Sequence, residues 1–190
     1  PAAALAAATF LLAPAMAWAQ TGPTVSYQAD RIFQDERGER VKTTFYYTPA
    51  RQRLDYLVGA QRLVTIVDRP ANRIVILAPR GKTKQTLPYR APGWDFGLSA
   101  PGATFEKVGP EKVGDILAIK YKAKGAASAQ QVFDGFAWLT AQRIVIKLDG
   151  TVRRGGATKR FYMTTENLKV GPVNPRLFLV PPDYEEMKRK

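Results

Sequence analysis

Cysteine and histidine are both absent from the 190 residues, and these two absences remove most of the common enzyme chemistries. Without cysteine there is no disulfide, no thiolate metal site and no lipobox thiol to acylate, so the chain reads as a soluble species and not as a self-anchored lipoprotein. Without histidine there is no Ser-His or Cys-His nucleophile pair, no imidazole base and no His-ligated zinc or iron. Charge is missing from one end, since Pro1 to Gln20 carries none. Beyond that end no apolar run approaches the ~20 residues that a membrane-spanning helix needs.

The remaining catalytic options are weak. Gly97-Leu98-Ser99-Ala100-Pro101 has the outline of a nucleophile elbow, but Pro101 replaces its last glycine and no histidine exists to activate Ser99. Gly155-Gly156 falls at a hairpin tip with no helix behind it, so it is not a phosphate cradle. Asp35, Glu36, Glu39, Asp55, Asp95 and Asp134 have no spacing that marks a pair across a cleft. In so basic a chain their expected role is pairing with neighbouring Lys and Arg. The expectation is a binding protein, not an enzyme, with no cofactor and no metal.

The uncharged N-terminal segment reads as a signal peptide, residues 1–19. Its centre, Ala6 to Ala13, is apolar, and Ala17-Trp18-Ala19 puts small residues where a signal peptidase reads them, predicting cleavage before Gln20. Pro14 and this small-residue end argue against a spanning helix. No Met or basic residue precedes the apolar centre, which places the true N-terminus upstream of Pro1. A periplasmic protein is expected, with residues 20–190 as one domain.

That domain holds the whole positive excess: 29 Lys and Arg against 16 Asp and Glu, a formal +13. Such a field favours anionic partners, and after export these are lipid head groups, surface polymers or envelope proteins. No nucleic-acid motif is present, and no nucleic-acid partner is expected. From Tyr27 onward the pattern is short alternating or doubly apolar runs cut by Pro, Gly, Asp and Asn, the signature of strands and turns. Strands are predicted around Val41–Tyr47, Leu54–Val58, Arg62–Asp68, Arg73–Ala78 and Lys82–Leu87, an antiparallel meander. Four more are predicted at Ile116–Lys124, Gln131–Leu139, Arg143–Val152 and Thr158–Lys169. The last pair turns at Arg153-Arg154-Gly155-Gly156, with Asp149-Gly150 as a rival turn. Asn174 to Phe178 predicts one helical turn, and a charged tail follows.

Between the two groups, Pro88 to Gly102 is rich in Pro and Gly yet carries Tyr89, Trp94, Phe96 and Leu98. It reads either as a lid over an apolar cavity or as an aromatic plug at the end of the sheet. A curved sheet uses both faces, and its concave face can line a cavity. Candidates for that lining are Phe45, Tyr47, Leu54, Tyr56, Leu63, Trp94, Phe96, Phe136 and Trp138; the competing reading puts the same side chains in a solid core. Arg51, Arg53, Arg62, Arg69, Arg73, Arg80, Lys82, Lys84 and Arg90 form a first basic patch. Arg153 and Arg154, with Lys159 and Arg160, form a second, and Lys188-Arg189-Lys190 a third. Arg51, Arg53, Arg62, Arg153 and Arg154 are the candidates for contact with an anionic partner. Protection of sheet edges is the alternative role for some of these charges.

Four stretches carry a family resemblance: Tyr27-Gln28-Ala29-Asp30-Arg31, Phe136-Ala137-Trp138-Leu139, Glu166-Asn167-Leu168-Lys169-Val170-Gly171 and Asn174-Pro175-Arg176-Leu177-Phe178-Leu179-Val180-Pro181. Together they make the chain similar to a group of bacterial periplasmic proteins related to lipoprotein carriers of the LolA and LolB type and to the RseB-type sensor domain. The resemblance implies a mainly β (α+β) fold, an unclosed antiparallel β-barrel with a loop or short helix over the concave face. It implies a hydrophobic ligand, a lipid or lipoprotein acyl chain, held in that half-barrel. The alternative it leaves is an envelope interaction or sensor module that binds an anionic partner through its basic surface. The chain departs from a typical carrier in having few covering helices, so Pro88 to Gly102 would take part of that work.

Overall fold

The computed structural model describes residues 22–34, 37–89, 98, 103–128, 131–154 and 156–187, the side chains of 126–128, 131 and 154 excepted. The expected signal peptide and its cleavage site, Trp94 and Phe96, Arg90 and the terminal basic cluster lie outside these residues. Six strands form the first group: β1 (Tyr27–Gln34), β2 (Arg40–Tyr47), β3 (Arg51–Val58), β4 (Gln61–Asp68), β5 (Arg73–Ala78) and β6 (Thr83–Pro88). Five longer ones form the second: β7 (Thr104–Val113), β8 (Ile116–Ser128), β9 (Gln131–Leu139), β10 (Val145–Arg154) and β11 (Ala157–Val170). A two-residue strand, β12 (Glu185–Glu186), ends the order.

All twelve belong to one sheet, ordered β12-β6-β5-β4-β3-β2-β1-β11-β10-β9-β8-β7. Each group is thus an antiparallel meander, and the two join where β1 pairs with β11. The sheet does not close, because β7 and β12 stand at opposite ends of the order. It does curl: Val113 and Ile116, at the β7–β8 tip, pack on the cluster formed by Tyr27, Phe45, Ile144 and Ile146. Strands so distant in the order meet only if the sheet bends toward that face, which is therefore concave.

Strand register assigns every side chain to a face, because alternate residues point to opposite sides. Tyr27, Ala29 and Arg31 of β1 stand opposite Tyr47, Phe45 and Thr43 of β2, all inward. On the other arm the inward set includes Phe133 and Ala137 of β9, Leu148 of β10 and Met163 of β11, packed as a second cluster into which Leu98 inserts. Leu98, from the segment between β6 and β7, so covers the inner face of β8–β11. A third cluster lies on the outer face, where Phe178 covers Val64, Ile66, Val75 and Leu77. This accounts for one half of the doubly apolar reading of β4 and β5: their outer face is covered by Phe178. The helical turn expected near Asn174 is a 3₁₀ turn, Pro175–Phe178, capped by the Asn174 side chain accepting from the Arg176 N–H at 3.0 Å. It sits outside the sheet, not over its hollow.

Two turns show local chemistry at work. Val58 pairs with Gln61 across a two-residue hairpin in which Gly59 takes φ +58°, a conformation open to glycine. Arg154 pairs with Ala157, which settles the last hairpin in favour of the Arg153–Gly156 turn. The rival, Gly150, lies mid-strand and directly faces Gly135 of β9. A Cβ on Gly150 would strike the Asp134 carbonyl oxygen, and one on Gly135 the Asp149 carbonyl oxygen, so these glycines serve close strand approach and not a turn.

Candidate functional site

Three rows of inward side chains cross β2 to β6. One runs Tyr47, Gln52, Val67, Ile74, Leu87; the next Phe45, Leu54, Thr65, Ile76, Gln85; the third Thr43, Tyr56, Leu63. The rows are sealed at one end and half-open at the other. Phe45, Tyr47, Gln52 and Val67 are buried, whereas Leu54, Tyr56, Leu63, Ile74, Ile76 and Leu87 are only partly so. The result is an apolar trough along the inner face of β3–β6. By register no carboxylate of β1–β6 points into it.

The sealed end is an aromatic stack. Tyr27 lies 5.2 Å from Tyr47 and 5.7 Å from Phe45 between ring centroids. Arg31, buried beside them, places its guanidinium 3.9 Å over the Phe45 ring and donates to the Tyr27 hydroxyl at 3.1 Å. Burial raises the Tyr27 phenol, with Arg31 opposing, and burial likewise raises Tyr47, whose hydroxyl donates to the Pro23 carbonyl at 3.0 Å. At the open end Tyr56 and Thr65 share a hydroxyl hydrogen bond of 3.1 Å. Gln52 differs from its neighbours: it is 1% exposed, and its carboxamide oxygen has no hydrogen-bond partner in this structure.

The cavity candidates therefore separate. Phe45, Tyr47, Leu54, Tyr56 and Leu63 share the inner face, the first two inside the core and the last three along the trough. Phe136 and Trp138 lie on the outer face of β9, opposite Asp149 and Lys147 of β10. Their rings are 6.2 Å apart; Lys120 sits 5.0 Å and Lys147 4.4 Å from the Trp138 centroid, so two ammonium groups cover the indole. The Trp138 N–H is aimed at Glu111 without closing a hydrogen bond of ordinary geometry, and with Lys120 it lowers that carboxyl against desolvation. Ile74, Ile76 and Leu87 are trough residues not among the candidates; Ile74 and Ile76 belong to a strand legible as apolar on both faces, which hides which parity faces the hollow.

Arg51, Arg53, Arg62 and Arg153 of the basic candidates are on the outer face too, and three of these are held by acids. Arg53 grips Asp55 at 2.6 Å and donates to the Leu177 carbonyl at 2.8 Å; Arg62 reaches the same carboxylate at 3.0 Å. Arg51 pairs with Asp68 at 3.4 Å. Arg153 is exposed on β10, and Arg154 is beside it in the strand. Among the described residues no group of acids is arranged to hold a metal ion, and no helix is long and apolar enough to cross a membrane.

Known structures share this architecture at low sequence identity. An uncharacterized conserved protein from Thermus thermophilus is 13% identical, with a TM-score of 0.58 over 87% of this chain and 91% of that one. MucB, also crystallised with MucA from Pseudomonas aeruginosa, is 14% identical with a TM-score of 0.53 over 87% of this chain. The chain spans about 60% of the length of MucB. A LolA-superfamily protein from Nitrosomonas europaea superposes more loosely, at 8% identity and TM-score 0.41 over 84% of this chain and 92% of that one. No protein-family model and no curated protein sequence matches the chain. The likeness is one of fold, and that fold is the unclosed, curved antiparallel sheet expected from the sequence.

Proposed function

We propose that the chain is an exported, periplasmic binding protein that holds an apolar ligand, a lipid or lipoprotein acyl chain, in the trough of β3–β6. The observation that carries this reading is the exposure gradient: registers sealed by aromatic rings at β1–β2 stay half-open at Leu54, Tyr56, Leu63, Ile74, Ile76 and Leu87. Covering such side chains gains about 25 cal/mol for each Å² of apolar surface removed from water. The lack of any inward carboxylate on β1–β6 supports binding over catalysis, as do the ion pairs that occupy Asp30, Asp55 and Asp68. Carriers and sensors of this fold type give the reading its precedent.

The test is titration of residues 20–190 with a fluorescent fatty acid at low and at high salt. Saturable binding that survives salt is expected, because apolar burial is not screened. Ile76→Glu and Tyr56→Ser are expected to abolish or weaken it by about tenfold or more, with circular dichroism reporting the retained fold. A second reading, a protein-interaction module, is favoured by the MucB–MucA complex. It would replace the first if no fatty acid binds and an envelope protein is captured in a manner that Ile76→Glu disrupts.

A further inference from the structure

We infer that the protein carries a second site, on its outer face, for the anionic head group of a membrane lipid, in the cleft between β3–β6 and the chain that follows the 3₁₀ turn. The cleft has a volume of about 390 Å³ and lies on the side of the sheet opposite the trough. It is room for a head group and a few methylenes, not for a whole acyl chain. Its floor is cationic: Arg51 from β3 and Arg73 from β5 share one carboxylate, Asp68, and Lys84 from β6 lines the same cleft further along the strands. That carboxylate serves two guanidinium groups at long range, 3.4 Å from Arg51 and 3.8 Å from Arg73. Lys84 has no ion-pair partner among the described residues. Glu186, at the edge of the cleft, commits one oxygen to the Thr86 N–H at 2.7 Å and the other to the Thr86 hydroxyl at 3.2 Å.

The floor is thus net positive and reachable, with the Arg51 and Arg73 side chains 43% and 49% exposed. The facing wall, Phe178 to Pro182, carries no charge, and at its lip Leu179 is 64% exposed. Cations set beside a protruding leucine match a bilayer surface: the leucine enters the acyl boundary while the cations meet phosphate oxygens. Cations from β3, β5 and β6 along one cleft supply the several donors that a phosphate accepts. This site is independent of the trough, whose residues the following experiment leaves untouched.

The measurement is co-sedimentation of residues 20–190 with vesicles of phosphatidylglycerol in phosphatidylcholine, and with phosphatidylcholine alone. Binding to the anionic vesicles only is expected. Lys84→Glu should weaken it about tenfold, whereas Lys112→Glu, the same charge change on exposed β7, should leave it within about twofold. Leu179→Ser should weaken vesicle binding as well. Equal losses in Lys84→Glu and Lys112→Glu would reduce the effect to diffuse net charge and overturn the site. Inorganic phosphate displacing the protein at concentrations near the lipid's would make it a small-anion site and overturn the lipid assignment. Failure to bind either vesicle would overturn the inference outright, with fatty-acid binding in the trough unaffected.

Discussion

Gln52 is the residue whose surroundings least resemble its chemistry. It sits between Tyr47 and Val67 with a buried oxygen unpaired, a situation that costs about 1–3 kcal/mol. Gln52→Leu is therefore expected to raise the melting temperature by about 2–8 °C, measured by calorimetry. Asp30 shows the reverse. Burial alone would raise its carboxyl, but Lys42 at 2.8 Å, Asn167 and Thr44 outweigh that and lower it below its ordinary value of 3.8. A lowered folded value means stability that is fully present above the unfolded value and lost as pH falls through the folded one. Asp30→Asn should accordingly flatten the loss of thermal stability on acidification below pH ~4, relative to the parent. At this scale much of the site was hidden. Phe136 and Trp138 read as lining residues because an aromatic pair at i and i+2 announces one shared face, yet parity alone does not say which face is hollow.

Whole strands were easier to read than their facing. The meander β2–β6 and the strands β8–β11 follow from alternation and turn chemistry. β7 does not, because Gly109-Pro110 looks like a break. It is tolerated because β7 is an edge strand with a register shift between Lys107 and Gly109. The opposite edge is protected differently. Outward groups of β6 are met by β12, by the Glu186 carboxylate on the Thr86 N–H, and by Pro88, which has no N–H to leave open. Removing residues 183–190 should expose this edge and produce concentration-dependent association, read by analytical ultracentrifugation. Gly135→Ala should destabilise by about 1–3 kcal/mol in urea, since the β9 and β10 backbones must separate to admit the methyl.

For the molecule as a whole, two faces of one sheet have been given different chemistry. Inside, the strands carry aromatic and aliphatic rows with Arg31 buried among them; outside, Arg51, Arg53 and Arg62 with their acids flank the cluster under Phe178. The fold class was legible from composition and periodicity because short β-rich runs between turn residues admit few other arrangements. The seam was not, since nothing local to Tyr27 or Val170 says that these two positions pair. Raising salt from about 0.1 to 1 M shortens the screening length from ~10 to ~3 Å. Association with anionic vesicles should vanish over that range while fatty-acid binding persists, a contrast that fluorescence titration and sedimentation can record side by side.

The seam also governs timing. β1 finds one of its two neighbours only once β11 is available, so the shared core cannot be completed while the later meander is still missing. Contacts spanning nearly the whole chain are slow to form. The export proposed above would thread the polypeptide through a translocation channel, where such delay is useful: the early strands stay extensible until their last partner has crossed.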